Sequence, residues 1–293
     1  MMKAHVIGNA ALDETLRVAD FPQPGASIFG EALSQDLGGK GVNQAVAIAR
    51  TGLPCRLVAA VGEDARGREI AARLAAEPLA AELIALPVAS DRSLILMAGH
   101  GENAVITTRA AASAMTPEHV EKALAEARPG DLLVLQGNLR LATTRAALIA
   151  ARARGLRTAL NPSPLEGDMA SLLPMVDCVF VNEGEARLLD GSEALRAAGV
   201  SEVVVTLGGR GAVLLHAGHA VEVPARAVAI VDTTGAGDCF MAVALASAGL
   251  RGTRLDARAL RHATAAAALT VSRPGTVAAF PDAAQMLAIL AQD

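Results

Sequence analysis

Six short apolar runs, at residues 4–8, 56–61, 132–135, 158–160, 178–181 and 202–206, recur along the chain, and this recurrence constrains the fold more than any other feature. Each run is apolar on both of its faces, as in strands buried within a parallel sheet. Helical patterns lie between them, at residues 117–126, 142–153 and 183–189, with two longer ones near the C-terminus. The expected fold is α/β, a three-layer, doubly wound, mostly parallel sheet. Residues 14–37 and 91–108 break the rhythm with alternating, turn-bounded sequence and read as a small inserted β-sheet. No repeat, linker or low-complexity stretch divides the chain, so residues 1–293 read as a single domain with that insertion. The core must be aliphatic: hydrophobic residues make up 52% of the chain, yet there is no Trp or Tyr and only five Phe.

Composition also excludes partners. A net charge of −4 supplies no basic field for nucleic acid, and scarce aromatic residues leave few platforms for stacking bases or sugars. No uncharged apolar stretch is long enough to span a bilayer, and the first residues run straight into a strand, so no membrane partner and a cytoplasmic location are expected. Cys55, Cys178 and Cys239 are too widely spaced to suggest a disulfide framework. His216 and His219 flank Gly218 and read as exposed residues of a hairpin turn rather than as a metal pair.

Chemistry concentrates in two glycine clusters, each at the head of a helix. The run Asp232-Thr233-Thr234-Gly235-Ala236-Gly237-Asp238 precedes an apolar helix, and small residues there let backbone N–H groups face an anion at the positive end of the helix dipole. Asp238 sits where such an anion would react. The second cluster, Gly38-Gly39-Lys40-Gly41-Val42-Asn43, is a near miss to the P-loop, with Ser34 at the first glycine position and Gly41 after the lysine. Neither cluster reads Gly-x-Gly-x-x-Gly, which removes the dinucleotide fingerprint.

Together the clusters resemble those of the PfkB carbohydrate kinases, and among them the ribokinase-like members. Smaller matches lie in order around them: Asp13 with Phe21-Pro22-Gln23-Pro24-Gly25, Asn161-Pro162-Ser163-Pro164, Asn182-Glu183-Gly184-Glu185-Ala186, Thr206-Leu207-Gly208-Gly209-Arg210-Gly211 and Ser272-Arg273-Pro274-Gly275. The resemblance implies ATP-dependent phosphorylation of a sugar hydroxyl, with Mg2+ as cofactor. It makes the two inserted segments a lid over the sugar, with a homodimer through the lid as one form of assembly. A nucleoside kinase of the same family is the alternative substrate reading. A catalytically inactive sugar-binding or regulatory protein is the alternative from another class, weakened by the intact loop ending in Asp238.

Phosphoryl transfer needs an aligned hydroxyl, charge stabilisation on the moving group and an acceptor for the hydroxyl proton. Asp238 is the expected proton acceptor, with the N–H groups of Gly235, Ala236 and Gly237 stabilising the phosphoryl group. Asp13 is expected to follow the first strand and grip two sugar hydroxyls, helped by Lys40 and Asn43, with Gly38 and Gly39 letting the backbone approach the sugar. By resemblance, Asn182 and Glu185 lie near the phosphates and magnesium, and Thr206, Gly208 and Gly211 lie along the nucleotide. Asn182 and Glu185 also have the spacing of a helix capping box. Asp232, Thr234, Thr270, Arg273 and Gly275 match a monovalent cation site, which makes K+ a second candidate cofactor. Ala279 stands where ribokinases commonly carry serine at that site.

Two departures bear on the substrate. Asn138 replaces a glutamate that touches the sugar in ribokinases, and Ala11 replaces an asparagine. These changes point away from simple ribose and towards another sugar, a deoxy or keto sugar, or a nucleoside. Cys239, in the first turn after the loop, is either an activated thiol at a helix N-terminus or a buried inert one.

Overall fold

The computed structural model describes residues 2–99 and 103–292 and resolves the alternation into two sheets. In chain order the strands are β1 (Ala4–Asn9), β2 (Ala11–Val18), β3 (Gly30–Gly38), β4 (Cys55–Gly62), β5 (Ala80–Leu86), β6 (Asp91–Ala98), β7 (Asn103–Thr107), β8 (Leu132–Gln136), β9 (Arg157–Asn161), β10 (Cys178–Asn182), β11 (Glu202–Thr206), β12 (Ala212–His216) and β13 (His219–Val223). The large sheet runs β13-β12-β11-β10-β9-β8-β1-β4-β5. It is parallel throughout except at one edge, where β12 is antiparallel to both β11 and β13. The small sheet runs β3-β2-β6-β7, with β2 and β6 parallel and both outer pairs antiparallel.

Period-two alternation decides which side chains meet which layer. In β1, Ala4 and Val6 join a core cluster with the helices Lys40–Arg50, Ala236–Arg251 and Ala257–Val271, while Ile7 joins the cluster on the opposite face with Leu141–Ala153. The same split divides Leu57 and Ala59 from Val58 and Ala60 in β4, and Leu132 and Val134 from Leu133 and Leu135 in β8. Two covered faces explain why these runs are apolar on both sides. Among the described residues, no helix is long and apolar enough to cross a membrane.

Several expectations need adjustment. β5 escaped because it is a partly exposed edge strand with little apolar alternation. The small sheet begins at Ala11, ahead of the expected 14, so Asp13, which follows β1 as expected, lies within β2. Residues 100–102 of the expected 91–108 segment lie outside the described residues. The helix expected over 117–126 spans Pro117–Ala123, and the short helix Ala110–Ala114 was not anticipated. His216 and His219 close the β12–β13 hairpin as a cross-strand pair, with Ala217 and Gly218 at φ 49° and 82°, the left-handed pair that a two-residue hairpin turn requires.

Strand order reverses at β1, which has β4 on one side and β8 on the other. The crevice at the carboxyl ends of strands flanking such a reversal is where open α/β sheets bind ligands. The chain leaves β1 towards Asp13, enters the helix Lys40–Arg50 beside it, and leaves β8 at Gln136.

Candidate active site

The helix Lys40–Arg50 can start against the end of β1 only because its first residues are glycines. Gly39 has φ 87°, and a Cβ on Gly41 would stand 2.7 Å from the backbone N and O of Asn9. That close approach aims Asn43 and Gln44 at Asp238. Asn43 Nδ2 donates to Asp238 Oδ2 and Gln44 Nε2 to Oδ1, both at 2.9 Å, and Gln136 Nε2 donates to Gln44 Oε1 at 2.7 Å. Lys40 Nζ lies 3.9 Å from Asp238 Oδ1. Asn43 and Lys40, expected in the sugar grip, thus also reach the Asp238 carboxylate. Gln44 and Gln136 were missed, although two buried amides among apolar neighbours were a readable signal.

Asp238 is buried in the first turn of the helix Ala236–Arg251, whose N-cap Gly235 adopts φ 74°. A side chain on Gly235 would press on Phe280 and the Thr276 methyl group at 3.0 Å. Ala236 N–H turns back to the Thr233 carbonyl at 3.3 Å, so one of the three expected cradle amides is engaged within the loop. Gly237 is exposed and faces open space, with nothing within 4 Å of where its Cβ would be.

Asp13 faces the same region from β2. Its Oδ2 accepts the Thr276 hydroxyl at 2.9 Å, and burial, joined by repulsion from Asp36 and Asp238, pushes its carboxyl up to about 6. Gly38 is glycine because the Asp13 carboxylate occupies the place of its side chain, at 2.0 Å from an added Cβ. Close packing against Asp13 is a second reason for glycine here, beside the expected backbone approach to the sugar. Asp13 Oδ1, Asn43 Oδ1 and Asn138 Oδ1 are buried acceptors with no protein donor. Asn138 itself sits in the turn after β8.

Two cavities meet at Gly237. The smaller, about 90 Å³, is lined by Lys40, Asn161, Asn182, Glu185, Thr206 and Asp238. The larger, about 370 Å³, is mostly apolar and includes Gly208, Gly211, Val228, Phe240, Ala268 and Thr206, which borders both. Asn182 and Glu185 form a full capping box, Asn182 Oδ1 accepting from Glu185 N at 2.8 Å and Glu185 Oε2 from Asn182 N at 2.9 Å. The cap and the cavity wall are thus the same residues. Gly211, at φ 102°, packs where a Cβ would strike the Val223 carbonyl, holding the loop after β11 against β13.

Asp232 ties the anion loop to the segment after the helix Ala257–Val271, accepting Thr234 N at 2.9 Å and Gly275 N at 3.1 Å. Thr270, expected beside them, spends its hydroxyl on the Ala266 carbonyl, and the Arg273 guanidinium bonds Gln285. Among the described residues no cluster of three or more His, Cys, Asp or Glu side chains could hold a metal ion. Cys239 is fully buried, and that burial pushes its thiol up to about 12, which decides for the inert reading.

The profile of the pfkB family carbohydrate kinases matches residues 1–283. The chain belongs to this family. Among its relatives are the ribokinases of Haemophilus influenzae, 29% identical over 97% of both chains, and of Mus musculus, 30% identical over 94% of this chain and 91% of the mouse protein. Of solved structures, the ribokinase of Thermotoga maritima superposes with a TM-score of 0.87 at 26% identity over the whole of both chains. The ribokinase of Arabidopsis thaliana complexed with ribose and ATP superposes at 0.81, with 25% identity over the whole of both chains. The protein is accordingly an ATP-dependent carbohydrate kinase of ribokinase-like fold, and the small sheet is its lid.

Proposed function

We propose that this kinase phosphorylates a neutral, unphosphorylated sugar, using Asp238 as the base. Three buried acceptors without a donor carry the reading, two of them on Asn43 and Asp13, which neighbour Asp238. Asp13 Oδ1, Asn43 Oδ1 and Asn138 Oδ1 can each accept a hydroxyl, and a buried acceptor left without a donor costs about 1–3 kcal/mol. Asp36 and Asp238 set negative charge beside Asp13 on this side, which disfavours an acidic sugar.

In this reading Asp13 and Asn43 orient the sugar so that one hydroxyl faces Asp238, which takes its proton as the phosphoryl group arrives. Gly237, exposed where the two cavities meet, and the Lys40 ammonium border the place of the transferring group, where the Gly237 amide and the ammonium would stabilise its charge. The apolar cavity takes the base and ribose of ATP along Thr206, Gly208 and Gly211. Mg2+, which neutralises charge on the phosphates, keeps most of its waters and needs few protein ligands, which fits a wall whose two carboxylates are Glu185 and Asp238. Glu185, with one oxygen outside the capping box, and Asn182 are the residues to hold it. For a monovalent cation at Asp232, Thr234, Thr270, Arg273 and Gly275, the Asp232 bonds to Thr234 and Gly275 lend support; the Thr270 hydroxyl is committed elsewhere, leaving its carbonyl.

The whole chain acts as one kinase domain, and the lid is the surface for a second copy. Phe29 is fully exposed there (102%) with Ile28 just before β3, and Val105 and Ile106 are exposed on β7 at the other edge of the small sheet. Three buried free thiols suit a reducing cytoplasm. ATP consumption against neutral pentoses and hexoses, 2-deoxy sugars, sugar acids and nucleosides tests the substrate reading. Turnover of a neutral sugar alone is the expected result, and preference for a sugar acid or a nucleoside overturns it.

A further inference from the structure

We infer that Gln44 and Gln136 form a directional amide relay that positions the Asp238 carboxylate, an inference that rests on Asp238 being the base. Both glutamines are fully buried, Gln44 in the helix Lys40–Arg50 and Gln136 at the end of β8. Leu or Met would fill either place without the cost of burying an amide. The direction of the relay is fixed by charge. An ionised carboxylate only accepts, so Gln44 must turn its N–H2 group to Asp238 Oδ1; its oxygen then faces Gln136, which must answer with its own N–H2.

The far end of the relay is left unsatisfied. Gln136 Oε1 is buried without a donor, against Gly8, where a Cβ would stand 2.0 Å away. Gly8 therefore leaves room for an amide oxygen that gains nothing there. Turning Gln136 over would set two amide oxygens face to face, and turning Gln44 over would set its oxygen against Asp238. The strain is kept at the end farthest from the reaction, and Asp238 receives a neutral donor that fixes its rotamer. With Asn43 on Oδ2 and Gln44 on Oδ1, the plane of the carboxylate is held from both sides, which leaves the remaining lone pairs for the substrate hydroxyl.

The test compares Gln44→Met, Gln44→Glu and Gln136→Met with the parent enzyme, following kcat and KM against pH and thermal stability. Gln44→Met is expected to lower kcat by about 10-fold or more with sugar and ATP KM within about 3-fold, because positioning acts on the transition state. Gln136→Met, which leaves Asp238 its direct donors and removes only the support behind Gln44, is expected to lower kcat less. Gln44→Glu sets a like charge beside Asp238 and should move the acid limb of the kcat profile up by about one pH unit or more. Unchanged kcat and an unmoved limb overturn the relay, as does a loss in which kcat, KM and melting temperature all shift together. If Gln44→Glu does not fold, Gln44→Met and Gln136→Met decide alone by the kcat–KM split. A fully active Asp238→Asn overturns the base assignment instead, which separates the two failures.

Discussion

Asn43 Nδ2 donates to Asp238 Oδ2 at 2.9 Å, joining two glycine-led helices across 195 positions of chain. The bond also decides what Asn43 shows the sugar. Since the carboxylate claims its N–H2 group, its oxygen is left as a buried acceptor. In the proposed mechanism one charge thereby sets both the base and one wall of the sugar site.

Asp238→Asn removes that charge with little change of shape. Turnover is expected to fall by about 100- to 10,000-fold, the usual range for loss of a positioned base. The rise in melting temperature on adding sugar should persist, because Asp13 and Asn43 remain. Steady-state kinetics beside thermal shift separate the two, and near-normal turnover would remove Asp238 from the mechanism.

Asp13 is expected to trade stability for function. Its folded carboxyl stands at about 6 against an unperturbed 3.8, chiefly because it is buried. The folded protein then binds more protons than the unfolded chain between those values, so stability falls as pH rises from about 4 through 6 and the loss is complete above that, on the order of 3 kcal/mol. Asp13→Asn should raise the melting temperature of the sugar-free protein at about pH 8 and gain little at about pH 4, while sugar KM rises. The parent enzyme should also lose sugar affinity as pH falls through about 6, since a protonated carboxyl accepts fewer hydroxyls. A destabilised Asp13→Asn at the higher pH contradicts this account.

The large sheet was legible because strands covered on both faces must be apolar at every position, a pattern independent of partners. The loop before Asp238 was legible for a similar reason: Gly235 sits at φ 74° against Phe280, which few residues but glycine tolerate. Partner choice was hidden. Asn43 and Lys40 lie in one motif with Gly38, yet they turn to Asp238, while Gly38 yields its space to Asp13 from another strand. Local sequence carries no direction for a side chain whose partner comes from 195 positions away. Asp36 and Thr276 were missed because each is an ordinary polar residue until the lid folds over residues 275–278.

Asp36 pins the lid. Its Oδ2 accepts the N–H groups of Thr276 at 3.0 Å and Ala278 at 2.8 Å, and Thr276 in turn holds Asp13. Asp36→Ala leaves three backbone donors, those of Leu37, Thr276 and Ala278, without their acceptor and should cost about 1–3 kcal/mol in denaturant unfolding. Because Thr276 also packs on Gly235, sugar KM and kcat should both suffer. Unfolding and kinetics identical to the parent would show that these bonds hold nothing in place.

None of the three thiols should react in the native protein. Burial pushes Cys55 and Cys239 up to about 12 and Cys178 well above its ordinary value, so almost no thiolate exists near neutrality. Alkylation followed by mass spectrometry should find all three unmodified until denaturant is added, with or without ATP. Selective labelling of Cys239 that ATP blocks would restore the activated-thiol reading.

Gly38→Ala tests the sugar grip through space rather than charge. The new Cβ would lie 2.0 Å from the Asp13 carboxylate, too close for any contact, so Asp13 must swing away from Thr276 or β3 must shift. Sugar KM is expected to rise by about 10-fold or more, since a misplaced carboxylate loses its charge-assisted hydrogen bonds. If the glycine matters only through Asp13, the same substitution in an Asp13→Ala background should add little, because sites that act through one contact are not additive. A full additional loss in the double variant would instead trace the effect to the backbone of β3, and Gly38 would then serve the lid strand rather than the acid that grips the sugar.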